Sequence, residues 1–206
     1  MSRTFAFLIF CVLGIGAAQA QHLQYQLLTP AQPQTMPGKV EVVEFFSYGC
    51  PHCAHLHPPL KKWVAQLPAT AVFVRVPVSF GRREWGQLSR AYYSLEAIGA
   101  LARLDDALFD AIHNQRQTLF DEESLTAWVA QQGVDAKTFS SAFSSSAGSS
   151  KAMRAEQMSR DYQITSVPTL IVAGKYVISG KTHEEVLANA SAVIAKAAAE
   201  LKTAKR

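Results

Sequence analysis

The spacing of hydrophobic residues changes several times along the chain, and each spacing predicts a different element. The stretch "KVEVVEFFSY" (39–48) is dense in β-branched and aromatic residues and predicts a buried strand, and "AVFVRVPVSF" (71–80) predicts a second one. Between them, after Cys50, apolar residues recur at helical spacing in "HCAHLHPPLKKWVAQL". The first part of the chain is therefore predicted to run strand, helix, strand.

The middle of the chain, residues 82–150, carries helical patterns only. In its first part the apolar residues recur three to four positions apart, namely Trp85, Leu88, Tyr92, Leu95 and Ile98. Asp121 and Asp135 each precede an apolar periodic stretch and are predicted to cap a helix. The run "SSSAGSS" (144–150) is compatible with either a linker or a weak helical segment, and the next helix is predicted over residues 151–162.

The last part of the chain returns to strand-like patterns before it ends in a helix. "TLIVAGKYVISG" predicts two short strands around a turn at Gly174 and Lys175. Thr182 and Glu185 have the spacing of a capping box, which predicts the start of an Ala-rich helix.

These elements predict one α/β sheet that is interrupted by helices. Residues 21–80, in which "YQLL" predicts a short edge strand, and residues 151–206 supply the strands. Residues 81–150 are then an inserted all-helical domain.

The first twenty residues, "MSRTFAFLIFCVLGIGAAQA", have the pattern of a signal peptide. One early positive charge, Arg3, precedes an apolar run that is shorter than the roughly 20 residues a membrane span needs, and Ala18-Gln19-Ala20 is a small-x-small cleavage pattern. We expect export and cleavage after Ala20. Cleavage would remove Cys11 and leave Cys50 and Cys53 as the only thiols.

Composition and charge exclude some classes of function. The chain of 206 residues is 49% hydrophobic and 17% charged, which is typical of a folded soluble protein. Its formal net charge of +4 falls to +3 when Arg3 is removed, and no long Lys/Arg cluster is interleaved with aromatic residues. We therefore expect no nucleic-acid partner.

The pair Cys50 and Cys53 is the main candidate for chemistry. A disulfide across two intervening residues closes a very short loop and stabilises a fold little. Covalent haem attachment needs a histidine at position 54, where this chain has alanine. A zinc site with His57 as a third ligand would be a poor tetrahedron, so no metal is predicted, and His55 and His57 are expected to be solvated helix residues. A redox-active dithiol is the interpretation that remains.

The residues around the dithiol suggest how it works. If Cys50 begins the helix and Pro51 is its first residue, the N–H groups and the dipole of the helix favour the thiolate and lower the Cys50 pKa. His52, between the cysteines, can add donors or positive charge, and Cys53 lies deeper as the resolving thiol. Because the thiolate exists only in the reduced state, this stabilisation makes the disulfide a stronger oxidant.

Three further residues could support this chemistry. Glu44 lies within the apolar strand, where it is either at a sheet edge or buried near Cys53 and able to accept and return the thiol proton; Arg75 is a possible partner. Pro168, in "SVPTL", opens a strand. A cis bond there would leave the Val167 backbone free to pair with an extended peptide, although the sequence does not give the isomer.

The stretch "EFFSYGCPHC", the distant "SVPT" and the helical block between them resemble the thioredoxin superfamily and, within it, the periplasmic disulfide oxidases of the DsbA family. The resemblance implies a thioredoxin fold with an inserted all-helical domain. It also implies that Cys50 is the nucleophile, Cys53 the resolving cysteine and Glu44 the buried acid. Pro168 would be the cis-proline and Val167 its neighbour facing the substrate.

The resemblance also implies partners and a location. The clients would be unfolded or folding secreted proteins in the periplasm, and a DsbB-like, quinone-linked protein of the inner membrane would re-oxidise the dithiol. No cofactor beyond the Cys50–Cys53 disulfide is expected, and the protein is expected to be a monomer.

Two alternative functions remain open at this point. One is a disulfide isomerase or a specialised reductant, although the isomerases of the superfamily add an N-terminal dimerisation domain, for which residues 21–38 are too short. The other is a peptide-binding chaperone that keeps the fold without catalysis.

Overall fold

A computed structural model describes residues 23–203 of the chain. The predicted signal peptide and its cleavage site lie outside the described residues. Between residues 23 and 203, no helix combines the length and the apolar character that crossing a membrane requires.

Five strands form one mixed sheet, in the order β1-β5-β4-β2-β3. They are β1 (Tyr25–Leu27), β2 (Val40–Phe46), β3 (Ala71–Pro77), β4 (Thr169–Val172) and β5 (Tyr176–Ile178). Strands β2 and β3 are parallel, and the other three pairings are antiparallel. All seven residues of β2 are buried, because this strand has a neighbour on each side and helices over both of its faces. The predicted edge strand is confirmed as β1.

Seven helices accompany the sheet: α1 (Pro51–Val64), α2 (Arg83–Ala97), α3 (Leu101–His113), α4 (Glu122–Gln131), α5 (Ala136–Phe143), α6 (Ser146–Asp161) and α7 (His183–Thr203). Helices α1 and α7 pack together on one face of the sheet, where Leu56 and Leu60 meet Val42. Helix α6 covers the other face, where Ala155 and Tyr162 join the cluster around Phe45.

Helices α2 to α5 form the predicted helical insertion between β3 and α6. The carboxylate of Asp121 accepts a hydrogen bond from the Ser124 N–H at 2.8 Å, and that of Asp135 accepts one from the Thr138 N–H at 2.8 Å. Both predicted caps are therefore confirmed. The core of the insertion is continuous with Phe46 at the end of β2.

Helix α6 begins five residues earlier than the sequence pattern predicted. The Ser145 hydroxyl accepts a hydrogen bond from the Gly148 N–H at 3.1 Å, and this cap starts the helix at Ser146. The linker interpretation of residues 144–150 is therefore wrong, and the weak helical segment is what forms. The helix runs across the predicted domain boundary between residues 150 and 151, and the division itself stays a prediction.

The predicted turn between β4 and β5 also fixes the segment that follows β1. Gly174 has a φ of +66°, which favours glycine, and its carbonyl accepts a hydrogen bond from the Gln32 N–H at 2.8 Å. A Cβ atom at this position would lie 2.1 Å from the Gln32 carbonyl oxygen. The turn therefore needs glycine both for its backbone conformation and for the space it leaves to Gln32.

We expect Gly174→Ala to destabilise the protein more than Gly133→Ala. Gly133 has a φ of +75° but nothing within 4 Å of the position of its missing Cβ, so it reports the backbone strain alone, about 1 kcal/mol. The clash with Gln32 should add about 2 kcal/mol at Gly174. Urea denaturation of the two variants measures the difference, and equal free energies of unfolding would contradict the close approach.

Candidate active site

The register of β2 on β3 brings two charged residues together inside the sheet. Glu44 lies directly opposite Arg75 in the parallel pairing. Because side chains alternate along a strand, Glu44 shares a face of β2 with Val42 and Phe46, and Phe46 packs in the same cluster as Cys53. Glu44 has no exposed surface. Of the two positions that the sequence allows, a sheet edge or the interior, the structure therefore shows the interior.

The two cysteines lie where this strand leads into α1. Cys50 is the N-cap residue of α1 in extended conformation, and Pro51 is the first residue of the helix. The Cys50 N–H donates to the Ser47 carbonyl at 3.1 Å, which closes the loop before the helix. Cys53 lies one turn further along α1.

Both cysteines are free thiols and both are largely covered. Cys53 has no exposed surface, and Cys50 is 5% exposed. The sequence predicts that Cys53 lies deeper than Cys50, and the exposed fractions of the two residues differ in this direction by only a small margin. The Cys50 Sγ donates to the Val167 carbonyl at 3.4 Å, so the loop before β4 covers it.

The environment lowers the pKa of Cys50 from 9.0 to about 6. The largest cause is a hydrogen bond from the Cys53 thiol; burial opposes it, and the backbone N–H groups of Cys53 and His52 and the charge of His52 add to the lowering. The predicted direction agrees with this result. The sequence predicts that the start of the helix lowers this pKa most, whereas in the structure the hydrogen bond from the second thiol contributes most.

The pKa of Cys53 moves in the opposite direction. Burial raises it most, followed by the hydrogen bond and the negative charge of Cys50, and the charge of Glu44 raises it as well. The pair therefore holds one proton on the inner sulfur and stabilises the thiolate on the outer one.

Arg75 is held between two carboxylates that come from different parts of the fold. Its Nε donates to Glu44 Oε2 at 2.6 Å, and its Nη1 donates to Asp105 of α3 at 2.7 and 2.9 Å. The guanidinium also lies over the Phe46 ring, with its central carbon 3.8 Å from the ring centroid. Burial disfavours the charge, but Glu44 and Asp105 outweigh it and raise the pKa of Arg75. Arg75 is therefore the partner of Glu44, as the sequence suggested.

The two carboxylates are not equally satisfied. Asp105 accepts two hydrogen bonds from Arg75 and a third, at 2.5 Å, from the Tyr48 hydroxyl. Glu44 accepts a single one, and within residues 23–203 its Oε1 has no hydrogen-bond partner although it is buried. One oxygen of Glu44 is therefore free to take up a proton.

The histidines of α1 differ from one another. His52 and His55 are exposed, but the prediction that His57 is solvated is wrong. His57 is 5% exposed, its Nε2 lies 2.7 Å from Asp106 Oδ1, and its ring packs on Phe109 with the centroids 4.6 Å apart. The histidine turns inward because α3 covers this side of α1.

His57, Asp105 and Asp106 lie close enough together for a metal ion. Arg75 already binds Asp105, and the Lys61 ammonium lies 2.5 Å from Asp106. A divalent cation would meet two positive charges at this position, so we describe the group as an ion-pair network and assign no metal to it.

Tyr48 and Asp105 are site residues that no motif in the sequence marks. A signal for Asp105 was available, because it lies three and four residues before Leu108 and Phe109 on the buried stripe of α3. A carboxylate on such a stripe needs a buried partner. Nothing in the sequence pointed to Arg75 as that partner, since the contact joins β3 to α3.

The loop before β4 completes the site. The peptide bond between Val167 and Pro168 is cis, and the Val167 carbonyl is the group that faces Cys50. On the other side, a Cβ atom on Gly49 would lie 2.4 Å from Nε1 of the Trp85 indole, so glycine lets this ring approach the residue before Cys50. Cys50 is therefore bordered by the Val167 carbonyl, and the residue before it, Gly49, lies against the Trp85 ring.

Comparison with known proteins agrees with this arrangement. A family model described as a DSBA-like thioredoxin domain matches residues 41–192. The thiol:disulfide interchange protein DsbA of Pseudomonas syringae pv. tomato is 36% identical over 201 residues, which cover 94% of this chain and 94% of the relative. The protein of the same name from Pseudomonas aeruginosa is 37% identical over 182 residues, or 87% of this chain and 86% of the relative.

Solved structures show the same fold. The crystal structure of Pseudomonas aeruginosa DsbA superposes with a TM-score of 0.81 at 36% identity, covering 88% of this chain and 94% of that chain. Reduced DsbA1 from Neisseria meningitidis superposes with a TM-score of 0.79 at 30% identity, covering 91% and 99%. The predicted thioredoxin fold with a helical insertion is confirmed, and the chain belongs to the DsbA family of thiol:disulfide oxidoreductases.

Proposed function

We propose that this chain is an oxidase that donates the Cys50–Cys53 disulfide to exported proteins, with Cys50 as the nucleophile and Cys53 as the resolving cysteine. The observation that carries the proposal is the opposite shift of the two thiols. The outer sulfur is stabilised as a thiolate and the inner sulfur as a thiol. An outer thiolate of low pKa is a good leaving group, so the enzyme readily gives up the client once the transfer is complete.

Oxidation of a client takes place in two exchanges. A client thiolate attacks Cys50 Sγ in the oxidised enzyme, a client–Cys50 disulfide forms, and Cys53 leaves as a thiolate that takes up a proton. A second client thiolate then attacks the client sulfur of this mixed disulfide and releases the Cys50 thiolate. The client loses two electrons and gains a disulfide, and the enzyme is left reduced.

Glu44 handles the proton of Cys53 in this scheme. When Cys53 leaves as a thiolate inside the protein, Glu44 supplies the proton through Oε1, which has no hydrogen-bond partner among the residues that the structure describes. When Cys53 must attack during re-oxidation, Glu44 takes the proton back. Its burial beside Cys53 and its single bond to Arg75 support this role.

Re-oxidation requires an external acceptor of two electrons. We assign this role to a DsbB-like, quinone-linked protein of the inner membrane, whose disulfide the Cys50 thiolate attacks before Cys53 resolves the mixed disulfide. The quinone is the final acceptor of the electron pair.

Clients would pair with the Val167 backbone beside the cis Pro168 during both exchanges with the client, since Val167 borders Cys50.

Replacement of each cysteine separates their roles. Cys50→Ser should abolish oxidation of a reduced client, because the attacked sulfur is gone. Cys53→Ser should instead accumulate a client–Cys50 disulfide, which mass spectrometry of the trapped complex detects. A Cys50→Ser variant that no longer oxidises the client but keeps full biological function would exclude the catalytic function and favour a peptide-binding chaperone.

The reduced protein should be more stable than the oxidised protein, and the difference should increase with pH. A thiol whose pKa is lowered to about 6 on folding stabilises the reduced state fully above 9.0, and this contribution is lost as the pH falls through about 6. Denaturation midpoints of both redox states at pH 5 and pH 8 measure the effect.

The control for this measurement is Cys50→Ser, in which the reduced protein should lose the part of the pH dependence that comes from the Cys50 thiol. The reduction potential is an independent check, because each unit of pKa lowering makes the couple about 30 mV more oxidising. A potential near the roughly −270 mV of thioredoxin would contradict the oxidase direction and favour a reductant.

We also propose that the chain acts in the periplasm after its signal peptide is removed. The apolar run and the Ala18-Gln19-Ala20 pattern support export, and a cleaved protein would carry no thiol other than the active-site pair. N-terminal sequencing of the protein recovered from the periplasm should begin at Gln21. A protein that retains Cys11 would contradict this proposal.

A further inference from the structure

The charged cluster under the active site joins the two parts of the fold. Glu44 and Arg75 come from neighbouring strands of the sheet, whereas Asp105 comes from α3 in the helical insertion. One buried cation therefore faces two carboxylates. It can neutralise only one of them, so the two compete for the same guanidinium.

Asp105 receives more hydrogen bonds from Arg75 than Glu44 does. Arg75 directs both bonds of its Nη1 to Asp105 and only the bond of its Nε to Glu44. Tyr48 adds a donor to Asp105 alone, and burial, reinforced by the charge of Asp105, raises the pKa of Tyr48 so that this donor keeps its proton. Asp105 is thus the better-stabilised anion, and Glu44 is the carboxylate with one oxygen, Oε1, that has no partner in the described part of the chain.

Other charged and titratable groups also face the cluster. They are Cys53 and His57 from α1, with Asp106 and Lys61 behind His57, and Tyr92 from α2. His57 Nε2 is 3.5 Å from Asp105 but 2.7 Å from Asp106, so Asp106 is its nearer partner. Burial raises the pKa of Tyr92, which leaves it neutral in the working range.

We propose that Asp105 is a positioning residue of the exchange reaction, which draws the charge of Arg75 away from Glu44 and so keeps Glu44 able to accept the proton of Cys53. The inference rests on the proposed proton transfer to Glu44 and extends it to the helical insertion. Asp105 does not touch the sulfur atoms and acts only through Arg75. Without its charge, Arg75 would hold Glu44 as a carboxylate and make it a weaker base.

The step that reports this effect is the attack of Cys53 on a mixed disulfide between Cys50 and glutathione. The Cys53 proton goes to Glu44, a bond forms between the two cysteine sulfurs, and glutathione leaves as a thiolate. Its rate is measured by stopped-flow release of glutathione from the full mature protein between pH 4 and pH 9. For Asp105→Asn we expect the acid limb of the profile to move to lower pH by about one unit and the plateau rate to fall about threefold to tenfold.

The neighbouring carboxylate provides a matched control. Asp106 binds His57 and Lys61 and makes no contact with Arg75, so Asp106→Asn should keep the wild-type profile. Asp105→Glu, which restores the charge, should recover the acid limb. Asp105→Ser is a second neutral replacement. Urea denaturation compares the stability of each neutral variant with that of the wild type and so identifies the variant whose fold is intact.

Glu44→Gln distinguishes failure of this inference from failure of the proposed proton transfer. It should slow the same step at least about tenfold, and Asp105→Asn should then have no further effect in the double variant. If Glu44→Gln leaves the rate unchanged, proton transfer to Glu44 is wrong and the role of Asp105 is wrong with it. If Glu44→Gln slows the step but neither neutral variant of Asp105 shifts the profile, the role of Asp105 alone is overturned.

Discussion

The burial of one guanidinium constrains the architecture of this protein more than any other contact. A charge in the interior loses its hydration, which costs several kcal/mol unless nearby groups of opposite charge replace the water. Arg75 has such groups only where β2, β3 and α3 meet, because Glu44 and Asp105 reach it from different elements. The helical insertion is therefore bound to the sheet at the position where the cysteines lie, and the active site is built on that junction.

The same burial also explains why two chemically identical thiols behave differently. Removal from water raises the pKa of both sulfurs, but at Cys50 the hydrogen bonds from Cys53 and from the backbone of His52 outweigh this effect, whereas at Cys53 the backbone hydrogen bond at Ser47 does not. The inner thiol becomes the donor to the outer thiolate, so each shift depends on the other. The asymmetry of the two thiols thus comes from their different depths in the fold and from the different charges beside them, His52 at Cys50 and Glu44 at Cys53.

Local sequence features predicted the parts of the structure that depend on local contacts. The caps at Asp121 and Asp135, the glycine turn and the placement of Cys50 at a helix start each involve residues a few positions apart. The sequence does not decide whether the serine-rich run forms a helix, because the helix propensity of this run is weak. The Ser145 cap and packing against other elements decide it instead. The inward position of His57 and the contact of Asp105 with Arg75 depend on how α3 meets α1 and β3, which no short motif records.

Helix α6 has a consequence for anyone who wishes to redesign this protein. Lys151 near its start pairs with Glu96 of α2, and Glu156, a turn and a half later, accepts a hydrogen bond from the Ser79 N–H beyond β3. Helix α6 therefore contacts both the helical insertion and the sheet, and a domain boundary at residue 150 would divide this helix. A chimaera that exchanges the helical insertion must therefore be joined before Ser145, the N-cap of α6. A minimal sheet domain must keep α6, because this helix shields Phe45 from water.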